Sequence, residues 1–463
     1  MMECLQRIFV LPIGFVRRLL LTLIAIAAAC MALAANTALA QITSQMLIGD
    51  AVSEIGNRYA DIDEAIKRFA NRDFLGARQF LESAKRKDPS LPPTDLTLAK
   101  MYFLANNAAA GRASLEKTAT DNPGDPEACL ILADQASRER RFIEAESLYD
   151  KGLQLTEKFS ENARRKRNLE IRARTGRAYA AEQRRNWPAS AADLQALLKI
   201  DPENVVGHYR LGIALFMQKK YKEGYDEFVN AKKLDKNKTI PEPYAAAALM
   251  YDQLGMQNEA QTAFTRAYTA NKTDANTLTQ YGQWLIKTGN VEQAEQILSE
   301  GLKSNPESLS LVFFSGVAAR MNKKMKPAED YFVKAWGMSP ANVEVINQLA
   351  LLLIDQPDQA KRERAVQFAE ISARLNNQSA DALMTLAWVY YQMGRVGEAD
   401  VALRNAQQLG NISPDSSYLF AKILVDQKRP DPAKLLLQDA LDEKNQGIFV
   451  NRQEAQALLE TLN

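Results

Sequence analysis

His208 is the only histidine in this 463-residue chain, and Cys129 is the only cysteine beyond the first forty residues. Zinc and most transition metals are held by sets of imidazoles and thiolates, so one of each cannot build such a site. A single imidazole can still act as a general base. His208, however, stands where equivalent segments carry Tyr244 or Leu278, which makes it a packing residue. Cys129 falls at the same place in another segment and reads as a buried structural thiol, with no second cysteine for an internal disulfide. No G-x-S-x-G elbow and no G-x-x-x-x-G-K-[ST] phosphate loop occurs. The many scattered carboxylates single out no catalytic pair. No enzyme activity and no cofactor or metal are expected.

The chemistry that remains is recognition. Phe313 and Val317, then Met384, Trp388 and Tyr391, then Tyr418 and Lys422 recur at offsets of four and seven residues. Those offsets keep side chains on one stripe of a helix, and tryptophan and tyrosine are frequent binding hot spots. The stripe is a candidate groove for an extended or helical peptide; the alternative is that neighbouring helices cover it. A second candidate is basic. Lys158 to Arg185 holds ten Lys or Arg against three Glu, with Arg164, Arg165, Lys166, Arg167 and Arg172 as its core. It reads either as a solvated helical face with i, i+4 pairs or as a contact for an acidic partner or anionic surface.

The elements that position these residues follow a fixed period. Ala260, Ala294 and Ala328 are 34 apart, as are Ala365, Ala399 and Ala433. A large apolar residue follows four positions later at Phe264, Leu298, Phe332, Leu403 and Leu437, and a small one three further on at Ala267, Gly301, Ala335, Ser372, Ala406 and Ala440. These three places share one side of a helix, and the small residues let a second helix approach. A preceding helix is marked by Tyr244, Ala247, Ala248 and Tyr251, and again by Leu278, Tyr281, Gly282 and Leu285. Gly255, Gly289 and Gly394 mark the turn between the two, and Pro202, Pro306 and Pro340 end the second helix.

This pattern resembles the tetratricopeptide repeat family, most closely from Tyr281 to Pro306 and from Leu211-Gly212 through Tyr221, Gly224, Phe228 and Ala231. Units begin near residues 58, 92, 126, 171, 205, 241, 275, 309, 346, 380 and 414. The steps to 346 and to 171 carry insertions, expected as a longer turn around Pro357 and a longer helix pair around 153–183. The resemblance implies an all-α solenoid of about eleven antiparallel helix pairs in a right-handed superhelix. It also implies a concave surface of first helices for a protein or peptide partner. The lysine and asparagine with which some relatives grip a C-terminal carboxylate do not occur together in any unit.

The ends differ from the array. Arg17-Arg18 precede an uncharged apolar run from Leu19 to Ala35, followed by Ala38-Leu39-Ala40. This is the layout of a secretory signal peptide cleaved before Gln41. Two alternatives are retention as an anchor through residues 19–40 and lipidation at Cys30. The domain reading is therefore 1–40 leader or anchor, 41–447 repeat array, and 448–463 a C-terminal cap. In the cap, Phe449, Ala455, Leu458, Leu459 and Leu462 face the stack. Removing Arg7, Arg17, Arg18 and Glu3 from 58 basic and 56 acidic residues leaves equal numbers, which gives no general attraction to nucleic acid. The functional expectation is an exported, non-catalytic scaffold of the cell envelope, periplasmic or secreted. A non-catalytic subunit of an envelope assembly or polymer or pilus export machine is the alternative. A weaker alternative is an enzyme whose site hides between repeats.

Overall fold

A computed structural model describes residues 42–52, 59–442 and 447–462. The predicted leader, residues 1–40, lies outside them. Every regular element among the described residues is helical, and none of these helices is long and apolar enough to cross a membrane. The chain divides into two compact units at Asn237/Lys238.

Among the described residues, the first unit holds the short α1 (Ser44–Ile48) followed by five helix pairs. These are α2 (Ala60–Ala70) with α3 (Phe74–Lys87), α4 (Thr94–Leu104) with α5 (Ala108–Asp121), α6 (Glu127–Arg138) with α7 (Phe142–Lys158), α8 (Ala163–Gln183) with α9 (Trp187–Ile200), and α10 (Val205–Met217) with α11 (Tyr221–Leu234). The second unit holds six pairs. They are α12 (Pro243–Gln253) with α13 (Gln257–Ala270), α14 (Ala275–Lys287) with α15 (Val291–Ser304), α16 (Leu309–Met321) with α17 (Met325–Met338), α18 (Val343–Ile354) with α19 (Gln359–Leu375), α20 (Ala380–Gln392) with α21 (Val396–Leu409), and α22 (Pro414–Asp426) with α23 (Pro430–Ala440). A last helix, α24 (Arg452–Thr461), follows them. Each helix packs most closely on its pair partner, and consecutive pairs pack on each other within a unit.

The helix boundaries follow from local chemistry. Most first helices start at an Asn, Asp or Ser whose side chain accepts from an amide of the first turn. Asn204 accepts from Gly207, Asp274 from Thr277, Asn342 from Val345 and Ser379 from Ala382. Two first helices begin earlier than the repeat arithmetic suggests. One starts at Val343 rather than 346, because the inserted residues follow it, in the turn 355–358 and above all in the 17-residue α19, where the expected longer turn is mostly helix. The other starts at Ala163 rather than 171, because the insertion lengthens both α7 and α8.

The turn inside each pair needs a left-handed residue. Gly255, Gly289 and Gly394 supply it at φ of 75°, 81° and 75°. Equivalent turns use Arg72, Asn106, Arg140, Arg185, Lys219, Lys323 and Lys428, all at positive φ. The strain of a non-glycine residue there, roughly 1–2 kcal/mol, is offset by carbonyls it helps to cap. Lys324 N–H donates back to Ala319 at 2.9 Å, as Asn290 N–H does to Leu285 at 2.8 Å. The pair α18–α19 is the exception, and it carries the longer turn.

The pairs close on small residues. Ala260, Ala294, Ala328, Ala365 and Ala433 have no exposed surface. On the facing helix, a Cβ added at Gly316 would stand 2.6 Å from the Phe332 ring, and one at Gly282 would stand 2.5 Å from Leu298 Cδ2. Phe332 and Leu298 are themselves fully buried, each contributing about 1.5–3 kcal/mol by removal from water. Close approach here decides whether the pair can form. Replacing Gly316 with Val should destabilise the second unit by about 1–3 kcal/mol through overpacking against Phe332, read as a lower urea midpoint for the part of the transition that belongs to that unit.

Candidate functional site

The first helices of the second unit line a cavity of about 910 Å³. Its walls include Asp252 from α12, Lys287 from α14, Arg320 from α16, Leu351 from α18, Trp388 from α20, and Tyr418 with Lys422 from α22. Asp355, just past α18, also lines it, and the chain end from Phe449 to Glu454 completes the wall. Helical repetition explains the set. These residues recur near the same two turns of successive first helices, so stacking the pairs aligns them.

Three of the seven residues on the apolar stripe, Trp388, Tyr418 and Lys422, line this cavity. Lys422 Nζ sits 4.3 Å from the Trp388 ring centroid and 5.5 Å from that of Tyr418, a cation held over two aromatic faces. The other four stripe residues do not line it. Met384 and Val317 are buried inside the stack. Phe313 packs on Phe314 and Phe332 at centroid distances of 5.0 and 5.9 Å. Tyr391 is half-buried and stacks on Trp388 at 6.4 Å. Trp388 itself is only 2% exposed. The stripe is thus largely core with a polar rim rather than an open aromatic surface, because adjacent first helices cover one another's long side chains.

Charge is distributed unevenly around the cavity. Lys287 pairs with Asp252 at 2.6 Å. Arg320 is 9% exposed and donates one hydrogen bond, from Nη1 to Gln348 Oε1 at 2.7 Å. Burial pushes its pKa down, while Asp415, Asp355 and Glu454 act at a distance to raise it. Asp415 accepts from the backbone amides of Val450 and Asn451 at 3.0 and 2.9 Å and from Asn451 Nδ2 at 2.6 Å. Burial raises the Asp415 pKa in spite of those donors.

The first unit has a groove filled by its own chain. Ile42, Leu47, Ile48, Ala51 and Val52 are buried there. Lys100 Nζ donates to Leu47 O at 3.1 Å, Asn168 Nδ2 to Asp50 O at 3.1 Å, and Asn162 Nδ2 to Ala51 O at 2.9 Å. Side chains of the first helices therefore hold a short segment by its backbone carbonyls. Sequence reasoning missed this segment because it precedes the repeats; its clustered apolar residues are the one signal that could have found it.

The basic stretch lies mainly in α8 and does not form one open patch. Arg165 has no exposed surface. Its guanidinium donates to Asp125 at 2.6 and 2.8 Å and to Glu127 at 2.8 and 3.2 Å, with the Phe159 ring centroid 5.2 Å away. Arg172 is half-buried and held by Asp134. Lys166 donates to Glu157 O at 2.8 Å, and Arg167 to Ile200 O at 3.3 Å. Arg164 is exposed. The basic face meets carboxylates contributed by other elements, which the local charge count could not show. Glu127 is the centre of this network. Burial would raise its pKa, but Lys100, Arg165 and Arg172 outweigh that and hold it near about 2.

The two residues with potential reactivity have structural settings. His208 Nδ1 lies 2.5 Å from Glu227 Oε2, and its Nε2 lies 2.9 Å from Pro202 O, tying α10 to its partner and to the preceding loop. Cys129 is half-buried rather than fully buried, since it sits in the first turn of α6. Burial pushes its thiol pKa up, away from the reactive thiolate. Among the described residues, no cluster of His, Cys, Asp and Glu can hold a metal ion.

Tetratricopeptide repeat models match residues 253–312 and 175–231. Residues 358–440 match a model described as anaphase-promoting complex, cyclosome, subunit 3. A tetratricopeptide-repeat-containing protein of Pseudomonas aeruginosa is 26% identical over 117 residues, which is 25% of this chain and 20% of that relative. The chain thus spans about a fifth of that relative's length. Among solved structures, yeast Tom70 aligns over 88% of this chain and 95% of its own, at 16% identity and a TM-score of 0.37. A tetratricopeptide repeat protein of Parabacteroides merdae aligns over 63% and 98%, at 16% identity and a TM-score of 0.35.

Two outcomes follow from this chemistry. The Glu127 carboxyl is held below its unfolded value of 4.5, so its contribution is present above that pH and is lost as pH falls toward about 2. At roughly 1.4 kcal/mol per unit, that is on the order of 3 kcal/mol. Thermal melts followed by circular dichroism at pH 6 and pH 3 should show the first unit losing stability in acid, and Glu127→Gln should lower Tm at pH 6 and flatten the dependence. Separately, Trp388→Ala should cost the second unit about 3–5 kcal/mol by leaving a void, whereas Tyr418→Phe should stay within about 0.5 kcal/mol in the same denaturant titration.

Proposed function

We propose that this protein is an exported, non-catalytic scaffold of the cell envelope that holds a protein partner along the first helices of its second unit. The observation that carries the reading is the cavity built from Asp252, Lys287, Arg320, Trp388, Tyr418 and Lys422. It mixes aromatic faces, cations and carboxylates, and it lies at the surface that successive repeats generate together. Such a wall suits a peptide segment, which offers backbone polar groups and side chains in alternation. The titratable groups described above are engaged in pairs or packing, and none is set beside a nucleophile in the arrangement that group transfer needs. Export is supported by the charged, apolar and small-residue order of the first forty residues. Retention as a membrane anchor is the alternative for that segment.

The experiment places a photoactivatable amino acid at Lys422 or Asn322, both on the cavity wall. Controls carry it at Val401 or Leu435, which are 50% and 67% exposed on second helices. After irradiation of the native envelope, the cavity positions should give the same discrete protein adduct and the controls should not. Adducts from the controls alone, or none from the cavity, would refute the groove. Amino-terminal sequencing of the purified protein should begin at Gln41.

A further inference from the structure

The chain end does more than cover the last helix pair. After α23, the segment from Gly447 returns and lines the same cavity as residues of the first helices. Phe449 is 6% exposed and Ala455 is fully buried, both in the core cluster that contains Trp388 and Tyr418. Between them the backbone amides of Val450 and Asn451 donate to Asp415, at the start of α22. From the first turn of α24, Glu454 reaches Lys323, in the turn between α16 and α17, at 3.9 Å. This segment engages the groove through an apolar anchor, two consecutive amides and an acid. In the first unit, the segment 42–52 is held by its backbone too, there with side chains donating to its carbonyls.

The fit leaves one group poorly served. Among the described residues, Arg320 bonds only to the neutral Gln348 amide and pairs with no carboxylate at ion-pair distance. None of its nitrogens is both sealed from solvent and without a partner, and the side chain lines the cavity, so an acid in the cavity can reach it. Glu454 is the acid the chain end brings toward it, yet that carboxylate contacts Lys323 instead. Asp355 and Asp415 act on Arg320 only at a distance, and Lys422 makes its contacts with aromatic rings. A segment of the same pattern with an acid reaching Arg320 would fit better than the resident one.

We propose that residues 447–455 are an internal occupant of the partner groove, and that the partner enters by displacing them with a segment of the same chemistry. That segment has an aromatic residue, then two free backbone amides at a helix start, then an acid in the first helical turn. The proposal rests on the groove reading of the preceding subsection and deepens it. Competition between the two occupants makes the apparent affinity for a partner lower than the intrinsic one, by the fraction of time the groove stands open.

The test uses the full chain and a fluorescent peptide of the sequence Gly447–Leu462 as probe, with binding read by anisotropy. The wild-type chain should bind it weakly, because its own end competes. Phe449→Ala removes the buried anchor of that end and should tighten peptide binding by about tenfold or more. Glu454→Lys, which breaks a pair between two exposed groups, should tighten it by about two- to threefold. Adding Lys323→Glu to Glu454→Lys should restore the weak binding by remaking the pair. A peptide carrying Phe449→Ala should not bind any of these chains. Equal peptide binding by wild type, Phe449→Ala and Glu454→Lys, with helicity unchanged, would overturn the proposal. If Phe449→Ala unfolds the chain, the Glu454→Lys and double-variant comparison decides alone. Because the probe is the chain's own sequence, tail exchange without any envelope crosslink would establish that the segment leaves the groove and would sink the scaffold reading that supplies its competitor. Crosslinking without tail exchange would overturn this proposal and leave the scaffold reading standing.

Discussion

Everything in each unit depends on how near two helices of a pair can come. Gly282 and Gly316 on first helices receive Leu298 and Phe332 from second helices at distances that a methyl group would violate. The alanines facing them are sealed from solvent. A longer separation would open voids along the pair and forfeit dispersion contacts that fall steeply with distance. It would also move the first helices of neighbouring pairs apart. The cavity wall exists because residues such as Arg320, Trp388 and Lys422 come into register when pairs of nearly constant thickness are stacked.

The turns are subordinate to that packing. A left-handed residue closes almost every pair, and lysine or arginine often takes the place that suits glycine better. The chain tolerates the strain because the buried face on either side fixes the turn geometry. Lys323 shows a consequence. It serves in the turn and presents its ammonium to Glu454, so a strained backbone position also meets the returning chain end.

Charge follows the same logic of enforced proximity. Arg165, Asp125, Glu127 and Lys100 converge from different elements in the first unit. Each would be costly alone in a buried setting, and the set is tolerable because every charge faces an opposite one. Among the described residues, Arg320 in the second unit meets carboxylates only at a distance. The contrast separates a network that closes a structure from a group that leaves one open.

The sequence by itself determined the helical class, the pairing and most helix starts, because the spacing of Ala260, Ala294 and Ala328 and the Asn, Asp and Ser caps act over a few residues. It also placed Phe449 and Ala455 on a covering face. It located the insertions near Pro357 and within 153–183 but misplaced the starts at Val343 and Ala163, because it counted the extra residues ahead of each start when they lie wholly or partly after it. Only tertiary structure decided that Met384 and Val317 belong to the core, that Arg165 is buried among carboxylates, and that both described ends of the chain return to first-helix surfaces. Those facts depend on which residues, tens of positions apart, come to face one another. A side chain's type gives its capacity for contact, and only packing chooses between a partner, a neighbouring helix and water.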